Sequence, residues 1–124
     1  MTALLLRSPT LWRALLVLAM AAVMGLSLMP PGPELPSTGW DKSNHALGFA
    51  VLGVLGLQAC QGRRLEVLLG LLAYGALIEV LQSFTTYRMA EWADLWADGV
   101  GLLLGAALHF AWTWTRARWA PRAV

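Results

Sequence analysis

Four long runs of apolar residues divide the chain, and each is close to the length that crosses a bilayer. They cover residues 11–29, 44–60, 65–84 and 95–114. About 20 apolar residues in a helix span the hydrocarbon core. The alternating ten-residue segments typical of membrane barrels do not occur. The pattern therefore predicts an all-α fold, an integral membrane bundle of four transmembrane helices.

Composition supports a membrane environment and a single domain over residues 1–124. Of the 124 residues, 58% are hydrophobic and 13% are charged, whereas soluble domains average about 45–50% and about 25%. A chain of this size cannot enclose so much apolar surface in one compact core. Its one cysteine, Cys60, excludes a disulfide-stapled module.

The basic residues predict the orientation of the helices. If all four runs span the membrane, seven of the nine basic residues fall on one side and only Lys42 and Arg88 fall on the other. Basic residues concentrate on the cytoplasmic side of membrane proteins. Both termini are therefore predicted to be cytoplasmic, in a multi-pass protein of the cytoplasmic (inner) membrane. The seven are Arg7, Arg13, Arg63, Arg64, Arg116, Arg118 and Arg122. The net charge of +2 reflects this topology and does not predict a nucleic-acid partner.

A cleaved signal peptide is the competing interpretation of the first run. Arg7 lies before this run and Arg13 at its start, and Ala19 to Ala21 has the small residues of a cleavage site. The apolar stretch nevertheless continues to Met29 without a polar region, which favours a retained helix.

The connections between the runs differ in character. Residues 61–64 and 85–94 are short links, which favour antiparallel packing of neighbouring helices. Residues 30–43 contain four prolines and are predicted to be extended and stiff.

Polar residues cluster where the second, third and fourth runs approach the predicted outer surface. Ionised groups inside a membrane are costly and are functional candidates by default. Helical spacing places Glu79 and Gln82 on one face, and Asp41 with His45 if the second helix starts at Asp41. In the fourth run, Asp94 and Asp98 begin a stripe that continues through Gly101, Leu102 and Gly105 to His109. Small residues four apart permit close helix packing, so Asp98 is predicted to face the bundle interior.

These residues admit two interpretations that the sequence does not separate. In the first, Asp41, Glu79, Asp94 and Asp98 are neutralised by Lys42, Arg88 and a protonated His45, in a purely structural network. In the second, they form a ligand or catalytic site open to the outer leaflet. There Lys42 and Arg88 would bind an anionic headgroup or phosphate, and Asp41 would orient His45 as an acid or base. Gln82 and Asp94 would complete the binding pocket, while Glu79 and Asp98 join His45 as candidate catalytic residues.

No cofactor and no metal site are predicted. Glu79, Asp94 and Asp98 are able to share a proton or a divalent cation, but one histidine with scattered carboxylates lacks the close ligand spacing of a metal site. His109 lies deep in the fourth run and is predicted to pack there or reach the inner interface.

At these residues the sequence resembles the VanZ-like family. Its motif elements are similar to Asp41-Lys42-Ser43-Asn44-His45 with Phe49, then Ile78 to Phe84 with Glu79 and Gln82, then Arg88, then Asp94 to Gly101. The resemblance covers residues 41–105. The chain departs from the family where Asp98 replaces the usual asparagine. This extra carboxylate favours a shared proton with Asp94, or a closer tie of Asp98 to Arg88 or Lys42.

The resemblance implies a bacterial cell-envelope protein related to one associated with resistance to the glycopeptide teicoplanin. It does not supply a reaction, so the site is expected either to bind an anionic lipid headgroup or lipid-linked wall precursor, or to modify such a headgroup enzymatically. A small exporter is a third class suggested by size, but such exporters use a glutamate in the first helix, where this chain has no acidic residue. Oligomeric state is not predicted.

Overall fold

The computed structural model is all-helical across the residues that it describes, which are 8–30, 32 and 41–119, with only the backbone of Asp41. Four helices occur in this part of the chain. They are α1 (Pro9–Leu28), α2 (Asp41–Ala59), α3 (Arg64–Ser83) and α4 (Trp92–Trp119). The prediction of an all-α, four-helix bundle is confirmed. The proline-rich connection before α2 lies largely outside the described residues, so its predicted stiffness stays a prediction.

The observed helices extend beyond the apolar runs at their polar ends. α2 begins at Asp41, three residues before its apolar run, and α4 covers 28 residues, from Trp92 to Trp119. The apolar pattern marks only the part of a helix that is hidden from water, and helical hydrogen bonding continues through flanking polar residues. As a result, Lys42 and Asp94 belong to first helical turns.

Three of the four helices are long and apolar enough to cross a membrane, namely α1, α3 and α4. Many large apolar side chains lie on the surfaces of these helices, and Leu18, Leu69 and Leu103 are each more than half exposed. Soluble proteins rarely expose so much contiguous apolar surface to water, so these surfaces fit a membrane. α2 falls short because its first five residues, Asp41 to His45, are polar. It instead packs against all three of the others.

The polar contacts at the helix ends give the topology. His45 of α2 meets Asp98 near the start of α4, and Gln58 meets His109 further along the same two helices, so α2 and α4 run parallel. Gln82, near the end of α3, bonds the carbonyl of Ser27 near the end of α1. We call this end of the bundle, formed by residues 27–29, 41–45 and 79–98, the acidic end. The opposite end, with Arg13, Arg63, Arg64 and Gln58, is called the arginine end. Which end faces the cytoplasm stays a prediction.

α2 and α4 form the tightest contact in the bundle because two glycines remove side chains from it. A Cβ atom at Gly101 would overlap the carbonyl oxygen of Ala46, and one at Gly105 would overlap that of Ala50. The buried face of α4 consists of Asp94, Asp98, Gly101, Leu102, Gly105 and His109. This is the stripe that the sequence predicts, so the inward orientation of Asp98 is confirmed. The remaining core centres on Phe49, Leu52, Leu71, Ile78 and Leu102.

Candidate functional site

A buried histidine–carboxylate pair lies at the centre of the acidic end. Nδ1 of His45 and Oδ1 of Asp98 are 2.8 Å apart in a hydrogen bond between α2 and α4. Asp98 is fully buried and His45 is 8% exposed. When Asp98 is ionised, its oxygen is the acceptor and the ring nitrogen is the donor. The close approach of α2 and α4 at Gly101, one turn further along, brings the two side chains within reach.

α3 closes the pair from the inside of the bundle. A Cβ atom at Gly75 would lie 2.5 Å from Oδ2 of Asp98 and 3.1 Å from the ring of Phe49. Only glycine at this position lets the carboxylate and the fully buried Phe49 ring press against α3. The carboxylate therefore lies in a tightly packed position that is closed to solvent, where a polar atom gains most from each partner it has.

Glu79 links α3 to the start of α4. Its Oε2 accepts a hydrogen bond of 3.0 Å from the backbone N–H of Glu91, the residue before α4 begins. Backbone N–H groups at the start of a helix have no partner within the helix, so a carboxylate stabilises them. The second oxygen, Oε1, is buried and has no hydrogen-bond partner among the described residues.

The two cations of the acidic end contact protein groups. Lys42 Nζ forms salt bridges with Glu91 Oε2 at 2.9 Å and with Asp94 Oδ1 at 3.8 Å. Arg88 donates from Nε and Nη2 to the carbonyl oxygen of Met29, at 3.3 and 3.2 Å. Both side chains lie near the helix ends and are partly exposed.

Hydrogen bonds from the end of α3 hold α1 against the site. Gln82 Nε2 donates to the carbonyl of Ser27 at 2.9 Å, and the hydroxyl of Tyr87 donates to that of Leu28 at 2.7 Å. These carbonyls belong to the last turn of α1 and lack partners within the helix. α1 therefore closes one side of the acidic end without contributing a charged residue to it.

Three potential metal-ligating side chains meet at this point, one from each of α2, α3 and α4. One ligand atom each of His45, Glu79 and Asp98 lies within 4.8 Å of the others, and all three residues are buried. Local spacing in the sequence gives no sign of this group, because its members are separated by the lengths of whole helices.

A cleft opens beside Glu79, between α3 and the start of α4. Its volume is about 300 Å³, and its walls are mainly apolar, with Glu79 and Glu91 as the carboxylates. The lining residues are Ala76, Glu79, Val80, Ser83, Ala90, Glu91, Trp92 and Leu95. Apolar walls around a few polar groups are the usual features of a site for a small or amphiphilic ligand.

The predicted site residues converge, but two predicted partnerships differ. Asp98 bonds His45, not Arg88 or Lys42, because α2 and α4 run parallel and bring their N-terminal turns together. The predicted orienting role of Asp41 falls on a side chain outside the described residues. Asp94 lies next to Lys42 and is not a member of the group formed by His45, Glu79 and Asp98.

Sequence reasoning missed two contacts of note. The hydroxyl of Tyr87 bonds the carbonyl of Leu28 in α1. In the sequence, only its position one residue before Arg88 indicated that it lies near the site. His109 is buried as predicted, but its hydrogen bond to Oε1 of Gln58, at 3.2 Å, was not anticipated. Helical spacing reveals neighbours on one helix and gives no partner on another.

Comparison with known proteins identifies a family for the part of the chain that contains the site. The family model described as VanZ/LLP1 matches residues 40–113, which include every residue of the acidic end except those of α1. No curated protein and no solved structure matches the chain.

Proposed function

The chain belongs to the VanZ/LLP1 family, and we propose that it is a multi-pass protein of the bacterial cytoplasmic membrane whose acidic end binds or modulates an anionic envelope lipid or a lipid-linked cell-wall component. Such binding would affect sensitivity to glycopeptides such as teicoplanin. The bilayer is its solvent, since three of its helices are long and apolar enough to cross one.

The cleft beside Glu79 is the observation that carries the proposal. It combines apolar walls, formed by Val80, Trp92 and Leu95 among others, with two carboxylates at one end of the bundle. A lipid offers the matching combination, an apolar chain with a polar group attached. Trp92 is 83% exposed, and an indole at this position suits the interface between chains and headgroups.

Lys42 and Arg88 supply the preference for an anion. A phosphate near the helix ends would compete with Glu91 for Lys42 and with the Met29 carbonyl for Arg88. Exchange of the Lys42–Glu91 contact costs little, because that pair is exposed and exposed ion pairs contribute about 0–1 kcal/mol. The carboxylates would then accept hydrogen bonds from hydroxyl or amine groups of the same headgroup.

Lipid binding by the purified protein tests this proposal. Native mass spectrometry of the detergent-solubilised protein, titrated with phosphatidylglycerol or phosphatidylcholine, should show tighter binding of the anionic lipid. Lys42→Ala and Arg88→Ala should each weaken phosphatidylglycerol binding about 10-fold to 150-fold, as loss of a charge-assisted hydrogen bond predicts. Arg63→Ala, an exposed cation at the arginine end, is the matched control and should leave binding unchanged. Equal binding of both lipids, or equal loss in the control, would contradict the proposal.

An enzyme that modifies a lipid headgroup is the second candidate, favoured by the His45–Asp98 hydrogen bond. A buried imidazole oriented by a carboxylate is the arrangement of a general base. A mass-spectrometric comparison of envelope lipids and wall precursors separates the two candidates, using cells with the wild type, His45→Ala/Glu79→Gln, or no protein. A species that changes only with the wild type would identify an enzyme and its substrate. Identical profiles, with a teicoplanin phenotype that still requires His45 and Glu79, would favour binding.

A further inference from the structure

The group formed by His45, Glu79 and Asp98 has the composition of a metal site. It brings one imidazole and two carboxylates from three helices, with a ligand atom of each inside a 4.8 Å span. Ligands bound to one ion at about 2.0–2.2 Å lie up to roughly 4 Å from each other. Tetrahedral ligands at that distance lie roughly 3.5 Å apart, so the three atoms would have to draw together by about an ångström to bind one ion.

Buried acceptor atoms without a donor give a second, independent observation. Oδ2 of Asp98, Oε1 of Glu79 and Oε1 of Gln82 are buried and have no hydrogen-bond partner among the described residues. Asp98 is fully buried and Gln82 is 2% exposed. Buried polar atoms are nearly always satisfied in native proteins, and exceptions commonly mark a functional group or an absent ion. Two of these acceptors belong to the group formed by His45, Glu79 and Asp98.

Two of the three groups at this point are carboxylates, and His45 can balance at most one of their charges. Glu79 and Asp98 are both acidic, and the salt bridges that Lys42 forms with described residues go to Glu91 and Asp94 instead. Burial of two ionised carboxylates is strongly unfavourable without compensation. A cation bound between them would satisfy the charges and the unpaired acceptors together.

We propose that His45, Glu79 and Asp98 bind a divalent transition-metal ion, Zn²⁺ or Mn²⁺. An imidazole nitrogen is a good ligand for transition metals, whereas Ca²⁺ and Mg²⁺ prefer oxygen ligands alone. Three protein ligands also leave a position open for water or another ligand, as in catalytic zinc sites. The proposal comes from packing of the three helices, and the local spacing that disfavoured a metal in the sequence has no bearing on it.

The site would place positive charge beside the cleft, because Glu79 belongs to both. An ion held by Glu79 would attract the anionic group of a lipid in the cleft, an extension that rests on the proposed function. Metal binding itself does not depend on that function, so each is measured separately.

Direct metal analysis tests the site. The protein, purified in detergent without a histidine tag, should carry about one Zn²⁺ or Mn²⁺ per chain by inductively coupled plasma mass spectrometry. After removal of the metal with a chelator, calorimetric titration with ZnCl₂ and MnCl₂ should give one saturable site and identify the preferred ion. Absence of saturable binding by either ion would overturn the proposal, whatever the result of the lipid titrations.

Variants assign the ligands. Asp98→Asn keeps the shape of the side chain and removes its charge. It should weaken metal affinity by more than about 10-fold, because even residues that only hydrogen-bond to a metal ligand have effects of that size. Glu79→Gln should act similarly. The matched controls are His109→Gln, the buried histidine of the arginine end, and Glu66→Gln, an exposed carboxylate there. Both should bind metal as the wild type does.

A thermal measurement distinguishes loss of a ligand from loss of the fold. Saturating metal should raise the Tm of the wild type and of His109→Gln, because an ion that binds only the native state stabilises it. At a metal concentration that just saturates the wild type, the Tm of Asp98→Asn should rise much less, while its metal-free melting remains cooperative. An equal metal-induced rise in Asp98→Asn would show that the ion binds elsewhere and would overturn the assignment.

Discussion

The same two helices, α2 and α4, are joined by a histidine at each end of the bundle, and the two contacts differ in their chemistry. At the acidic end His45 bonds the carboxylate of Asp98 at 2.8 Å, with Glu79 close by. At the arginine end His109 bonds the neutral amide of Gln58 at 3.2 Å. Both histidines are buried to the same extent. Burial of a histidine in a membrane bundle therefore does not indicate a site; the charges around it do.

At the arginine end, most of the charged side chains are cations. The guanidinium of Arg64 lies 4.5 Å from the ring centre of Phe110, and that of Arg118 lies 3.9 Å from the ring centre of Trp114. Such contacts hold a positive charge at the membrane surface through the ring electrons. This end has the features of an anchor at an interface, whereas we propose the acidic end as a binding site.

A variant that separates α2 from α4 should cause the largest loss of stability, because both histidine contacts join these two helices. Gly101→Ala places a Cβ atom where the carbonyl oxygen of Ala46 lies, so the helices must move apart, with an expected loss of about 2–3 kcal/mol in the free energy of unfolding. Unfolding by SDS in mixed micelles, followed by tryptophan fluorescence, measures it. Gly99→Ala is the control, because the nearest atom to its Cβ would be Leu72 Cδ1 at 3.9 Å. It should gain up to about 1 kcal/mol from helix propensity. Similar losses for both variants would contradict the close packing.

Removal of each histidine's partner should give a smaller and unequal effect. In chelator, to exclude a contribution from metal, Asp98→Ala should lower the free energy of unfolding by about 2 kcal/mol, because it deletes a short, buried hydrogen bond to a charged group. Gln58→Ala deletes a longer bond between neutral groups and should cost about 1 kcal/mol. The same unfolding assay compares them. Equal losses would mean that the two ends are energetically alike, against the contrast drawn above.

The exposed ion pairs should give the smallest effects. Nε of Arg63 and Oε2 of Glu66 are 3.4 Å apart, and both side chains are more than two-thirds exposed. Solvent therefore screens the attraction between the two charges. Glu66→Gln should change the free energy of unfolding by less than about 0.5 kcal/mol. A thermal melt in detergent at low and high salt measures it. A loss above about 1 kcal/mol would show that this short link between α2 and α3 is more tightly held than its exposure suggests.

The sequence predicted the helices and the faces that they bury, because both depend on local periodicity. The stripe from Asp94 to His109 is the clearest case, since residues four apart on one helix must share a face. Local periodicity could not predict the pairing of His45 with Asp98. That contact joins residues 53 positions apart and depends on parallel packing of α2 and α4, which follows from the glycine contacts only once the partner surface is known.

The cleft and the contacts of the cations were likewise beyond sequence analysis. The cleft is shaped by Trp92 and Leu95 at the start of a helix that begins three residues before the apolar run. Lys42 and Arg88 were predicted to face a ligand, and their salt bridges and hydrogen bonds within the protein depend on how the helix ends meet. The sequence thus identified the candidate site residues from their chemical type and position, whereas their contacts with each other became known only from the structure.

The polar start of α2 has a consequence for biosynthesis. A segment that opens with Asp41, Lys42, Ser43, Asn44 and His45 partitions poorly into lipid by itself, since charged residues oppose insertion. α3 follows after only a few residues, and it is apolar enough to cross a membrane. We therefore expect α2 and α3 to enter the bilayer together as a hairpin, and α2 to become stably embedded only when α4 arrives. The arrival of α4 would thus complete both membrane integration and the site.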